Sequence, residues 1–126
     1  MRKLICRIQS KFIRGMQDGD INYDELLQKQ KQGAVILDVR SKQEYEENHL
    51  NGAISIPQYE INSKVETEIS DKNQEIVIYC TSGIRSRKVY EKLKKLGYKN
   101  LYNLYLGLDN INYWLNIYLS TILELG

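Results

Sequence analysis

The segment Ala34-Val35-Ile36-Leu37-Asp38-Val39 is almost unbroken in its apolar character. A strand with one wet face alternates polar and apolar residues, so a run of this kind needs cover on both faces, as a central strand of a parallel sheet has. Ile76-Val77-Ile78-Tyr79 is a second apolar strand. Around these two, helix and strand signals alternate in the manner of βαβ units. Asn22 with Glu25 makes a capping box that opens a helix through Leu26 and Leu27, and Gly33 ends it. Ser41 and Glu44 make a second box, whose short helix fades before Asn48, Asn51 and Gly52. Ile54 and Ile56 alternate with Ser55 as a short strand closed by Pro57, and Ile61, Val65 and Ile69 mark a weaker helix. Val89, Leu93 and Leu96 recur at helical spacing with Gly97 as the stop, and Leu101 to Leu104 reads as the last strand. From Asp109, the positions Ile111, Trp114, Leu115, Tyr118, Leu119 and Ile122 follow a helical period.

Cys80 stands directly after the second apolar strand, followed by Thr81-Ser82-Gly83-Ile84-Arg85-Ser86. A helix is expected from Ser86 to Leu96, so the cysteine falls at the mouth of a helix N-terminus. Unpaired N–H groups there favour a thiolate over a thiol and offer donors to a bound anion. Cys80 is therefore the candidate nucleophile. Backbone amides from Thr81 to Arg85 are expected to cradle its charge, Arg85 to bind an oxyanion through its fork, and the hydroxyls of Thr81, Ser82 and Ser86 to add hydrogen bonds. Gly83 permits a backbone conformation that a side chain would forbid. Asp38 and Arg40 close a strand at its C-terminal end, where open α/β sheets place their sites, and are the supporting candidates. Arg87 and Lys88 read as solvated surface.

With 126 residues the chain suits one domain and is too short for two independent cores. Its net charge of +2, from 18 basic and 16 acidic residues without a stripe of cations and aromatics, leaves no footprint for nucleic acid. Two cysteines far apart in sequence and a single histidine make neither a disulfide framework nor a metal site. Cys6 reads as a packing residue, and His49 as a turn residue that hydrogen-bonds the backbone. No apolar stretch has the length to span a bilayer, and Arg7, Lys11 and Arg14 interrupt the N-terminal segment. A cytoplasmic protein without an integral membrane segment is the expectation. Residues 1–17 form a basic extension, with Ile5, Ile8, Phe12 and Met16 on one helical face, expected to pack on a domain of residues 18–126.

The ordered motifs together resemble a single-domain rhodanese. They are Asp38-Val39-Arg40, His49-Leu50-Asn51-Gly52-Ala53 with Ile56-Pro57, Tyr79-Cys80 and its loop, Gly97 to Tyr102, and Trp114. The resemblance implies an α/β fold with a central, mainly parallel five-stranded sheet and helices on both faces. It also implies sulfur transfer: a Cys80 thiolate takes the outer sulfur of a donor such as thiosulfate, holds it as a persulfide, and passes it to cyanide or a thiol. Each displacement calls for an exposed sulfur surrounded by donors. Small-molecule donors and acceptors are the implied partners, with no cofactor and no metal, and a protein sulfur acceptor is the carrier alternative. Related phosphatases of the same fold place five residues between cysteine and arginine. Here that arginine position is Ser86, with Arg85 one residue early, so the shorter loop suits sulfur better than a phosphoryl group and leaves phosphatase or arsenate-reductase chemistry a minor alternative. The family often has paired glycines where this chain has Gly107-Leu108, so an altered turn is expected there.

Overall fold

The computed structural model describes residues 15–112 and 122–124. The elements follow as β1 (Asp20–Ile21), α1 (Tyr23–Lys31), β2 (Val35–Asp38), α2 (Lys42–Glu47), β3 (Ile54–Ser55), a 3-10 turn (Gln58–Glu60), α3 (Ile61–Glu68), β4 (Ile76–Tyr79), α4 (Ile84–Lys95) and β5 (Leu101–Leu104). A further helix, α5, is described over 107–112. All five strands pair in parallel in the order β1-β5-β4-β2-β3. The expected α/β architecture is therefore present, with a sheet that is wholly rather than mainly parallel.

The strand pleat sorts the core. Ile76, Ile78 and Cys80 point with Leu37 and Val39 into one cluster, completed by Ile61 and Val65 of α3 and Val89 and Leu93 of α4. Val77 and Tyr79 point the other way, with Ile36, Leu104 and Ile21, towards Leu26 of α1 and the half-buried Tyr45 of α2. Every residue of β4 is buried, as its unbroken apolar run requires.

Both capping boxes form as expected. Asn22 accepts from the Glu25 N–H and Ser41 from the Glu44 N–H, with each glutamate returning to its cap's backbone. Gly33 and Gly97 follow the ends of α1 and α4 in left-handed conformation, at φ 99° and 97°. Strand β1 is a structural addition: its two residues are too few to show a period, and pairing with β5 holds them. α4 begins at Ile84, two residues before the expected Ser86, because Gly83 at φ 93° reverses the chain at once. α5 likewise begins at 107 rather than at Asp109. Cys6, Trp114 and most of the expected N-terminal helix lie outside the described residues. Among those described, no helix is long and apolar enough to cross a membrane.

A buried polar cluster joins β2 to β4 at their C-terminal ends. Arg40 donates through Nε and Nη2 to the Asp38 carboxylate, the latter at 2.8 Å, and through Nη2 to the Asn48 carbonyl at 2.7 Å. Tyr79 Oη donates to Asp38 Oδ2 at 2.6 Å and accepts from the Leu50 N–H at 3.1 Å. Burial, then the bond to the Asp38 carboxylate, pushes the Tyr79 phenol well above its ordinary value, so it stays a donor. Tyr79→Phe removes one donor from a buried carboxylate and the acceptor of the Leu50 N–H, and is expected to cost about 1–3 kcal/mol in urea unfolding. A loss below about 0.5 kcal/mol, the range of a neutral surface change, would show that the cluster does not hold this end of the sheet.

Candidate active site

The side chain of Cys80 is held where β4 hands the chain to α4. The Gly83 N–H donates to Cys80 Sγ at 3.1 Å and the Ser86 N–H at 3.4 Å, with Ser86 Oγ also 3.4 Å away. Only Thr81, Ser82 and Gly83 separate the cysteine from the helix. The positive end of the α4 dipole therefore faces the sulfur. Of the amides expected to cradle it, Thr81 to Arg85, only that of Gly83 reaches it among the described residues; the Ser86 N–H, outside that set, is the second donor. The N–H groups of Ser82, Ile84 and Arg85 meet no acceptor among the described residues. Contrary to the expectation of an exposed sulfur, Cys80 has 0% relative exposure. The pleat of β4 sends it inward, and the loop closes over it.

The loop carbonyls are turned to the opposite side, where α5 begins. Cys80 O accepts from the Leu108 N–H at 3.0 Å and Thr81 O from the Asp109 N–H at 2.9 Å. So close an approach leaves no room for a Cβ at Gly107, which would lie 2.7 Å from Thr81 O and closer still to Cys80 O. The turn uses two left-handed residues, Leu106 at φ 59° and Gly107 at φ 57°. Leu106 is the one non-glycine residue with positive φ among the described residues, and it stands directly before Gly107.

Arg85 does not present a free fork. Its Nη1 donates to Glu44 Oε1 at 2.7 Å and its Nη2 to Glu44 Oε2 at 3.1 Å, with a further contact from Nη2 to Thr81 Oγ1 at 3.3 Å. The guanidinium, more than the box contacts with Ser41, holds the Glu44 carboxyl down at about 2. The same ion pair raises Arg85. Glu44 is the residue that sequence reading treated only as a helix cap. Its place in a box just beyond the C-terminal end of β2 was the available signal, because that end of the sheet faces the loop.

Other candidates are placed plainly. Asp38 and Arg40 neutralise each other in the buried cluster, so Asp38 is a tether and Arg40 adds no unpaired charge near Cys80. His49 meets the Tyr45 carbonyl through Nδ1 at 2.8 Å and stacks on the Tyr45 ring, as a turn residue should. Arg87 departs from the expected solvated surface. It is paired with Asp20 and with Glu91, lies over the Tyr90 ring, and fastens α4 to β1. Lys88 is exposed as expected. Ser82, Gly83 and Ile84 wall one side of a cleft of about 350 Å³, opposite Asn103 and Leu106.

A wholly parallel sheet, a cysteine delivered from its central strand, and helix N-termini on both sides of the following loop define an α/β domain organised around one cysteine-bearing turn. Residues 22–113 match the rhodanese-like domain family, and the chain belongs to it. It is 36% identical over 67 residues to thiosulfate sulfurtransferase PspE of Escherichia coli, a stretch that is 53% of this chain and 64% of that protein, so it spans less than two thirds of that relative. With thiosulfate sulfurtransferase GlpE of Coxiella burnetii it shares 33% identity over 79 residues, 63% of this chain and 72% of GlpE. The human single-domain sulfurtransferase TSTD1 has the same fold, with a TM-score of 0.68 at 24% identity over 79% of this chain and 97% of that one.

Two substitutions test the clamps on the loop. Gly107→Ala is expected to cost about 3 kcal/mol or more, because the clash with two backbone carbonyls adds to the strain of a non-glycine residue in this conformation, and to shift the amide signals of Cys80 and Thr81 in NMR spectra. Unshifted signals would count against the α5 contact. Glu44 is charged more readily in the folded state, so its stabilisation is complete above its ordinary 4.5 and is lost as pH falls towards about 2. Glu44→Gln should flatten the stability profile in that window, and an unaltered profile would remove the ion pair from the account.

Proposed function

We propose that this protein is a sulfurtransferase that carries sulfane sulfur as a persulfide on Cys80, from a donor such as thiosulfate to cyanide or a thiol. The observation that carries this reading is the convergence of the Gly83 and Ser86 amides and the Ser86 hydroxyl on one sulfur at the start of α4. As a thiol, Cys80 donates to Ser86 Oγ; as a thiolate, it accepts from the same hydroxyl. Three donors thus stand within reach of the sulfur from which the reaction begins.

In the first displacement the Cys80 thiolate attacks the outer sulfur of thiosulfate. The new bond is Cys80 Sγ–S, and the bond that breaks is the donor's S–S bond, whose electron pair leaves with sulfite. In the second, a nucleophilic acceptor attacks the outer sulfur of the persulfide, and the electron pair of the Sγ–S bond returns to Cys80. Charge and electrons balance without an external oxidant or reductant. Splitting the transfer in two replaces one difficult exchange with two displacements at an activated sulfur.

The unengaged amides of Ser82, Ile84 and Arg85 are the donors left for the outer sulfur or a donor oxyanion, while Thr81, through Glu44, keeps the rim in shape. Arg85 works first as a structural partner of Glu44 and reaches a donor only when that pair loosens. Similarity to PspE and GlpE, whose names state the thiosulfate reaction, supports the same chemistry here. The tight three-residue turn favours sulfur over phosphoryl transfer.

Incubation with thiosulfate followed by intact-mass measurement is expected to show a gain of one sulfur atom, reversed by cyanide and absent in Cys80→Ser. No gain together with hydrolysis of an aryl phosphate would replace this reading with the phosphatase one.

A further inference from the structure

We propose that the exposed face of α4 is the docking surface for an acidic protein that accepts sulfur from Cys80, an inference that rests on the persulfide reading. The 12-residue helix carries six cations, Arg85, Arg87, Lys88, Lys92, Lys94 and Lys95, against the single carboxylate of Glu91. The two arginines are committed, Arg85 to Glu44 and Arg87 to Asp20 and Glu91. None of the four lysines makes an ion pair among the described residues. Segments 1–14 and 113–121 contain no aspartate or glutamate to neutralise them.

Lysines in the last turn suit the helix dipole, which accounts for Lys92, Lys94 and Lys95 in part. It does not account for Lys88, which sits near the positive end and repels Lys92 one turn on. The repulsion between Lys88 and Lys92 stands in the free protein, and an opposing negative surface would relieve it. Ile84, Lys88, Lys92 and Lys95 fall on one side of the helix by their spacing, so the stripe runs from the sulfur-bearing loop for about 18 Å. At its loop end Ile84 is 65% exposed, and Tyr59, on the 3-10 turn that packs against α4, is 76% exposed.

An apolar tip beside a cationic stripe matches a protein surface with an apolar contact point and acidic flanks. A nucleic acid would need a broader basic field than a chain of net charge +2 supplies. Attraction along the stripe brings an acceptor cysteine over the loop, where its thiolate attacks the outer sulfur. The Sγ–S bond breaks, the electron pair returns to Cys80, and the persulfide now belongs to the acceptor.

The test starts from protein loaded with thiosulfate and freed of excess donor, then mixed with two cysteine peptides of equal length, one rich in aspartate and one in lysine. The aspartate peptide is expected to take sulfur about tenfold faster at low salt, the modest end of electrostatic steering, and to lose that advantage near 1 M salt, where the screening length falls to about 3 Å. Lys92→Glu/Lys95→Glu should reverse the preference while transfer to cyanide is unchanged, since both positions lie beyond the loop. If loading itself fails, the persulfide reading falls. If loading and cyanide transfer proceed but the peptides react alike, or the preference survives the charge reversal, the docking face is wrong while the sulfurtransferase stands. Stronger competition from polyuridylate than from polyaspartate of equal charge would assign the face to nucleic acid and overturn the proposal.

Discussion

Strand β4 has no exposed face, and most of the molecule follows from that. Its neighbours β2 and β5 take up its backbone groups, and helices on both sides of the sheet cover its side chains. A strand enclosed this way ends abruptly, because its next residues lose their ladder partners inside a crowded core. Here the relief comes from two helix N-termini. α4 receives the sulfur of Cys80 with its amides, and α5 receives the carbonyls of Cys80 and Thr81 with its own. One peptide stretch is thus pulled in opposite senses by two dipoles, which orients its remaining N–H groups without any large side chain.

The ion pairs around this stretch differ in kind. Asp38 and Arg40 are almost fully buried, and removing either partner of such a pair costs about 3–5 kcal/mol. Glu44 and Arg85 have about a third of their side chains exposed, a setting in which pairs contribute about 1 kcal/mol or less. The first fixes the ends of β2 and β4. The second closes the rim of the loop far more weakly, so two salt bridges a few residues apart hold the end of the sheet and the edge of the loop with unequal strength.

What could be read in advance was local. The capping boxes at Asn22 and Ser41, the apolar runs of β2 and β4, and the turn role of His49 each depend on residues within a few positions of one another. Glu44 meets Arg85 across 41 residues, and Asp20 meets Arg87 across 67. No spacing rule encodes such pairs, so the sequence points Arg85 at an oxyanion and Arg87 at solvent, and names neither carboxylate. The earlier start of α4 rests on the left-handed Gly83, and the turn before α5 on Leu106, a residue whose type gives no sign of that conformation. The burial of Cys80 is written in the alternation along β4, where it continues the side taken by Ile76 and Ile78.

The position of β1 sets the order in which the molecule can be assembled. Among the described residues its partner in the sheet is β5 alone, and Asp20 bonds Asn103 across 83 residues. β1 therefore waits for β5, and the Cys80 carbonyl waits for Leu108. A growing chain holds its cysteine with an incomplete turn around it until nearly the whole domain has left the ribosome. Closure across so much of the sequence ties the finished turn around Cys80 to the completed sheet.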